Sequence, residues 1–450
     1  MKTFQNISKL KKTVSGSNRL SPHLLSVSIA IATLSTTFTT EASPWLETHD
    51  PFLRSDLLAL SDAGLLNSPV NHYPLRWSMI GDELDIVHQN NQNQVSNELE
   101  RAASHLHYAL ASAEYGRGNR ALKAVCGSET PVASGFGQYS KNEWGATASY
   151  ESMRNSFAFR VTTGYAKYGE DEDFLWNDSY LALNAGKWLF SVGSIDRWWG
   201  QGWQHNLILG SFARSNPDLS VSYIGSNTIL GNWGAEAIIG LPDDASTDKP
   251  STNKHSAFRL ASKPVSFFEY GLTYQSWFDG SEFSDGDKQT SLDAKLTLPA
   301  FDKIYHSVYG ELASSANSFE PVAWLLGWSG QFDFAGQTIR LVLEKQDSTS
   351  EKDPQSWENN QYPSYSDGAA KTTYELDNSI SAALYLQLQN DHSLSLIAQE
   401  SEQNNKTVKT LQVSYRLPAL AGMLHFGAGR TDNETNKDET NIWTGYEFRF

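Results

Sequence analysis

The chain has 450 residues, a formal net charge of −16 and a mean hydropathy of −0.45, with 39% apolar and 12% aromatic residues, 14 of them Trp. No stretch reaches the roughly 18 consecutive apolar residues that a membrane-crossing helix needs, which excludes a helical membrane protein. It does not exclude a membrane β-barrel, whose strands alternate apolar and polar side chains and escape hydropathy averaging, while the acidic balance argues against nucleic acid as a partner because phosphates would be repelled.

Residues 1–42 have the layout of a cleaved signal peptide. Lys2, Lys9, Lys11, Lys12 and Arg19 form a basic start, Leu24 to Leu34 a short apolar core, and Thr40 and Ala42 supply small residues before Ser43. Their removal takes away five basic residues and one acidic, leaving 30 against 50 and a net charge near −20. Export places the single cysteine, Cys126, in an oxidising compartment with no intramolecular partner. It stands far from the cleavage site, so it is no lipid anchor, and a spare thiol is the expectation.

Residues 43–125 read as an N-terminal helical region. Asp50 is an N-cap candidate with Pro51 at the first helical position, followed by Phe52, Leu53, Leu57 and Leu60, and Gly64 ends the run. A second short helix is expected from Ser78. A third is expected from Val95 to Tyr115, with Leu99, Ala102, Ala103, Leu106 and Leu110 near helical spacing. His105 and His107, two apart, do not share a helix face, so no metal site is expected there.

Residues 126–450 are the expected barrel domain, with the period changing from 3.6 to 2 from about residue 132. Ile380, Ala382, Leu384 and Leu386 oppose Ser381, Tyr385 and Gln387; Leu411, Val413 and Tyr415 oppose Gln412, Ser414 and Arg416; Ile339, Leu341 and Leu343 oppose Arg340 and Glu344. Eighteen strands are expected near 132–140, 143–151, 155–167, 178–184, 187–195, 218–225, 231–240, 255–262, 267–277, 290–298, 304–314, 322–334, 337–347, 380–389, 393–401, 406–416, 421–430 and 441–450. Their connections alternate between short turns and mostly longer polar loops, the longest being 196–217 and 348–379. A membrane barrel sorts its loops this way; a Greek-key sandwich has no reason to. The fold class expected is therefore an all-β transmembrane barrel of about 18 antiparallel strands with a small N-terminal helical bundle. Ile442, Tyr446, Phe448 and the terminal Phe450 share one face of the last strand, the form in which barrels present themselves to the barrel-insertion machinery.

Charges of both signs, Glu236, Arg259, Arg340, Glu344, Arg416, Glu447 and Arg449, fall on the inward parity. An 18-stranded bore is aqueous unless filled, and ion pairs with the helices or the 196–217 loop are the available filling. That loop holds Arg197, Trp198, Trp199, Trp203 and Arg214. Indoles stack on sugar rings and guanidinium forks onto carboxylates, so the five are candidate glycan ligands; the same indoles are equally packing anchors that fold into the barrel mouth. Acidic loop clusters at 170–173, Asp243–Asp244 and Asp285, Asp287 and Asp432 are solvated surface or meet lipopolysaccharide through divalent cations. No HExxH, GxSxG or GxxxxGK[ST] occurs, so neither catalytic residues, a cofactor nor a metal is expected.

Three blocks resemble the capsule assembly protein Wzi family: Asp50-Pro51-Phe52-Leu53-Arg54-Ser55-Asp56-Leu57-Leu58-Ala59-Leu60 with Pro74-Leu75-Arg76-Trp77; Ser179-Tyr180-Leu181-Ala182; and Asp196-Arg197-Trp198-Trp199-Gly200-Gln201-Gly202-Trp203 with Leu207-Ile208-Leu209 and Ala213-Arg214. The resemblance implies an 18-stranded outer-membrane barrel with periplasmic helices that holds capsular polysaccharide on the cell surface. The expected function is thus a non-enzymatic, lectin-like protein that attaches surface polysaccharide, set among outer-membrane lipid and lipopolysaccharide. The alternative is a porin-type transport channel.

Overall fold

A computed structural model describes residues 43–90, 97–129, 135–154, 156–168, 171–211, 215, 217–240, 254–278, 288–315, 321–348, 378–403, 406–433 and 439–450. The expected signal segment, Arg214 and the acidic residues at 243–244 and 285–287 lie outside them.

Three helices come first: α1 (Pro51–Asp62), α2 (Trp77–Asn90) and α3 (Asn97–Glu114). Asp50 caps α1 as expected, its Oδ1 accepting from the amides of Phe52 at 2.8 Å and Leu53 at 3.3 Å, with Pro51 in the first turn where its missing N–H costs nothing. Gly64 leaves the helix with φ +73°, a left-handed conformation that favours glycine. Leu57, Leu60, Ile80, Leu84, Leu99, Ala102 and Leu106 are buried where the helices pack together.

Eighteen antiparallel strands then close a barrel. They are β1 (Arg120–Gly127), β2 (Trp144–Arg154), β3 (Phe157–Tyr168), β4 in two pieces (Asp171–Leu175 and Tyr180–Ala185), β5 (Trp188–Gly193), β6 (Asp218–Asn227), β7 (Gly231–Gly240), β8 (Lys254–Val265), β9 (Phe268–Phe278), β10 (Lys288–Thr297), β11 (Tyr305–Ser315), β12 (Ala323–Phe334), β13 (Gln337–Ser348), β14 (Asn378–Gln387), β15 (Ser393–Gln403), β16 (Lys406–Ala419), β17 (Gly422–Asn433) and β18 (Glu439–Arg449). Both pieces of β4 pair with β3. The seam pairs β18 with β1, from Trp443 opposite Gly127 to Arg449 opposite Ala121, and Arg120 and Phe450 exchange backbone hydrogen bonds of 3.2 and 2.9 Å. Among the described residues, the barrel strands leave no open edge to aggregate.

The greasy parity faces outward. Leu292, Leu312, Leu326, Leu343, Ile380, Leu411 and Ile442 are all exposed on the outer wall, while Thr273, Asp293, Arg259, Arg340 and Gln346 are fully enclosed on the inner one. A soluble barrel would have the reverse, so this is a membrane wall. Outward aromatics band both rims, Trp188, Phe268 and Phe334 near the short turns and Trp144, Tyr165 and Tyr274 near the long loops, where amphipathic rings sit at lipid headgroups. Cys126 is a free thiol exposed on this outer face.

The first strand departs from expectation. Residues 135–140, the described part of the strand expected at 132–140, are a loop, and Gly135 and Gly137 have φ of +79° and +80°, outside the β region. The strand is Arg120–Gly127 instead, so the barrel wall begins before the expected domain boundary at 125/126. Its outward residues Leu122, Ala124 and Cys126 alternate too weakly against Ala121, Lys123 and Val125 to announce a strand.

Candidate functional site

The bore is filled from both ends. From the short-turn end enters α1, whose polar residues face an inner wall that is itself polar. Arg340 Nε donates to Ser55 Oγ at 2.7 Å, and Ser55 donates on to Gln331 at 2.8 Å. Lys295 pairs with Asp62 at 3.1 Å, and Lys263 Nζ donates to Ser61 Oγ at 2.8 Å and the Leu66 carbonyl at 2.7 Å. Arg259 pairs with Asp293 at 2.8 Å, and Asn71 donates to the same carboxylate at 2.7 Å. On the turn itself, Arg101 of α3 pairs with Asp333 at 2.7 Å and donates to the Gly336 carbonyl at 2.9 Å. Each of these charges has a partner, as burial requires.

From the long-loop end, the chain after Gly193 turns inward. Trp198–Trp199 forms a two-residue antiparallel ladder with His72–Tyr73 of the N-terminal region, and Trp199 N donates to the Leu209 carbonyl at 2.8 Å, closing the loop on itself. Trp198 Nε1 donates to the Gly202 carbonyl at 2.9 Å. The tip is held by Glu344 on β13: its carboxylate accepts the successive amides of Trp203 at 2.5 Å, Gln204 at 2.8 Å and His205 at 3.1 Å, and the Tyr309 hydroxyl at 2.7 Å. Three consecutive N–H groups around one anion make a nest. The sequence permits this path only through its glycines. A Cβ on Gly202 would press into the His205 carbonyl oxygen, and Gly200 has φ +152°.

The two plugs meet at Arg54. Its guanidinium donates to the carbonyls of Gly202 and Gln201, both at 2.9 Å, and lies over the rings of Phe136 at 4.3 Å and Trp203 at 4.6 Å. Among the described residues it forms no ion pair; carbonyl dipoles and ring faces carry the charge instead, and burial pulls it below the usual guanidinium range. Phe136 N donates to the Trp203 carbonyl at 2.8 Å, tying the β1–β2 loop into the same knot. His205 is enclosed nearby, and burial pushes its imidazole down to about 3, so it is neutral.

All three indoles expected to meet sugar are thus fully enclosed: Trp198, Trp199 and Trp203 present no face to solvent and act here as packing anchors. Arg197 is also buried. It forks onto Asp218, with Nη2 to Oδ1 at 2.9 Å, and donates Nε to Glu236 at 3.1 Å, which in turn bonds His72 at 2.8 Å. Burial opposes its charge, but the two carboxylates outweigh that and hold it protonated. The inward charges Glu236, Arg259, Arg340, Glu344 and Arg416 do line the lumen, Arg416 pairing with Asp50 at 2.8 Å. What the sequence reading missed is Arg54 as the centre of the knot, and Lys263, Asp293 and Lys295 as its fastenings. The last three share the inward parity of their strands, so the alternation could have found them; Arg54 sits in a leucine-rich helix that points to no lumen.

The family model for capsule assembly protein Wzi matches residues 113–285, from the end of α3 past β9. Among solved structures, the barrel is similar to Wzi of Escherichia coli, an outer-membrane protein involved in group 1 capsule assembly and described as a carbohydrate-binding β-barrel: TM-score 0.76 and 17% identity, over 90% of this chain and 99% of that one. Pseudomonas aeruginosa OccD3 (TM-score 0.45, 11% identity, 74% of this chain and 90% of that) and Acinetobacter baumannii OccAB4 (0.48, 9%, 73% and 96%) are more distant. No curated protein matches the chain. The resemblance to the Wzi family read from residues 179–182 and 196–214 is borne out, since both blocks lie inside the matched region.

Proposed function

We propose that this chain is a non-enzymatic outer-membrane protein of lectin type, which attaches or organises surface polysaccharide at its long-loop end, with the helices on the periplasmic side. The observation that carries this is the double plug. A bore stoppered by α1 from one side and by 194–211 from the other, with buried ion pairs fastening both, is built to present a surface rather than to conduct. The carbohydrate binding described for the Escherichia coli relative supports the same reading. The 197–211 segment serves as the floor of the presenting surface: its indoles anchor the fold, and glycan contact falls to residues above them.

Orientation follows from loop length, because short turns face the periplasm and long loops the exterior in this class of barrel. On that basis the exposed Phe450, at the short-turn rim, is the end offered to the insertion machinery. Deletion of the gene is expected to release polysaccharide into the medium while its synthesis continues; unchanged attachment refutes the role. Planar-bilayer recording addresses the channel alternative, since a steady open-state current from the intact protein would favour a pore over a stoppered binder.

A further inference from the structure

The outer wall is indented between β11 and β17, where a groove of about 1040 Å³ opens on the lipid side. Its floor follows from the register. Leu343, Ala382, Ala398 and Leu411 stand opposite one another on four successive strands, so two alanines lie between two leucines and leave a trough. One step nearer the long loops, the facing row is Lys345, Ile380, Glu400 and Lys409, with Asp432 next. Arg430 stands beside Leu411. Below Lys345 the outward residues of β13 are Leu343, Leu341 and Ile339, so the cations mark the edge of the hydrocarbon zone.

The cations form two poles. Lys345 lies over the Trp324 ring at 5.7 Å and, among the described residues, meets no carboxylate. Lys409 and Arg430 form the other pole, paired with Glu400 at 3.1 Å and Asp432 at 2.6 Å; all four side chains are at least half exposed, so these pairs yield readily to a stronger anion. Three strand spacings separate Lys345 from Lys409, about 14 Å at the usual interval between neighbouring strands. A single phosphate cannot bridge that distance. A sugar headgroup with a phosphate at each end can, and acyl chains descending from it would fill the alanine trough.

We propose that this groove docks a bisphosphorylated glycolipid of the outer leaflet, one phosphate at Lys345, the other at Lys409 and Arg430, with an acyl chain over Ala382 and Ala398. The inference goes beyond polysaccharide retention and leans on the reading above only for which rim faces outward; its test is binding by purified protein, which can fail while retention stands. The detergent-purified full chain is exchanged into nanodiscs, and native mass spectrometry compares a bisphosphorylated glycolipid, its monophosphorylated form and phosphatidylglycerol, with inorganic phosphate as competitor. The parent protein should retain the bisphosphorylated lipid preferentially. Lys345→Ala and Lys409→Ala should each weaken retention about fivefold, the effect of one interfacial cation. Ala398→Phe, which fills the trough and alters no charge, should weaken it as well, with unchanged heat-modifiable migration reporting an intact barrel. Equal retention of phosphatidylglycerol, displacement by inorganic phosphate, or full retention by the double-lysine variant overturns the proposal.

Discussion

Replacing Glu344 by Gln tests whether the loop tip is held by its charge. The carboxylate accepts three backbone amides, at 2.5, 2.8 and 3.1 Å, and a tyrosine hydroxyl at 2.7 Å. The amide keeps one accepting oxygen and turns an NH2 toward donors that cannot accept it. Two charge-assisted bonds, each about 1.5–3 kcal/mol, are lost, while removing a buried anion returns part of its desolvation cost. The net loosening of the tip is about 3 kcal/mol, or roughly 100-fold in the population of the opened loop. Hydrogen exchange by mass spectrometry in micelles should show amides 203–208 exchanging faster by that order in Glu344→Gln, with the β13 wall unchanged. Exchange within threefold of the parent would show that the indole packing, and not the nest, holds the loop.

Gly202→Ala forces a Cβ into the His205 carbonyl oxygen; the tip must shift, and tryptophan fluorescence should report indoles newly reached by aqueous quencher, whereas an unchanged quenching profile would refute the tight turn. Asp62→Ala leaves Lys295 buried with Ser61 Oγ at 3.3 Å and a single carboxylate, Glu269, at 3.6 Å, a loss of about 3–5 kcal/mol for breaking an enclosed pair, so protease should cut within 43–66 in the variant at doses the parent survives. His105 donates its case to pH. Its hydrogen bond to Asp56, 2.9 Å away, raises it above the ordinary value of 6.5 despite burial. The stabilisation is therefore complete below pH 6.5 and is lost as pH rises through the folded-state value. Histidine NMR should find that value raised in the parent and returned toward 6.5 in Asp56→Asn; equal values in the two would refute the coupling.

The wall was legible in the sequence because a membrane barrel writes its period-2 alternation onto every strand, and β7 falls on 231–240 as expected. The helix start at Asp50-Pro51 was legible for an equally local reason, a cap side chain beside a residue with no N–H. The first strand was hidden by its small outward residues, and a glycine-rich loop with Phe136 and Tyr139 mimicked one in its place. The interior was half legible. Parity placed Glu344 and Arg340 inside, but which loop amides Glu344 would collect depends on a fold-back across 139 residues of chain separation and leaves no local mark. The Trp-rich segment announced aromatic chemistry truthfully, yet composition alone could not say that its rings would face one another and an arginine rather than a ligand.

The seam between the first and last strands has a consequence for how the molecule is made. Helix α1 and the 194–211 segment precede β18 in the chain, and both lie within the perimeter that β18 completes. Neither can be threaded in afterwards without breaking the ring of hydrogen bonds, so the contents must be in position before the last hairpin zips to Arg120–Gly127. Assembly is then an act of enclosure, with a correctly loaded interior as the condition for sealing.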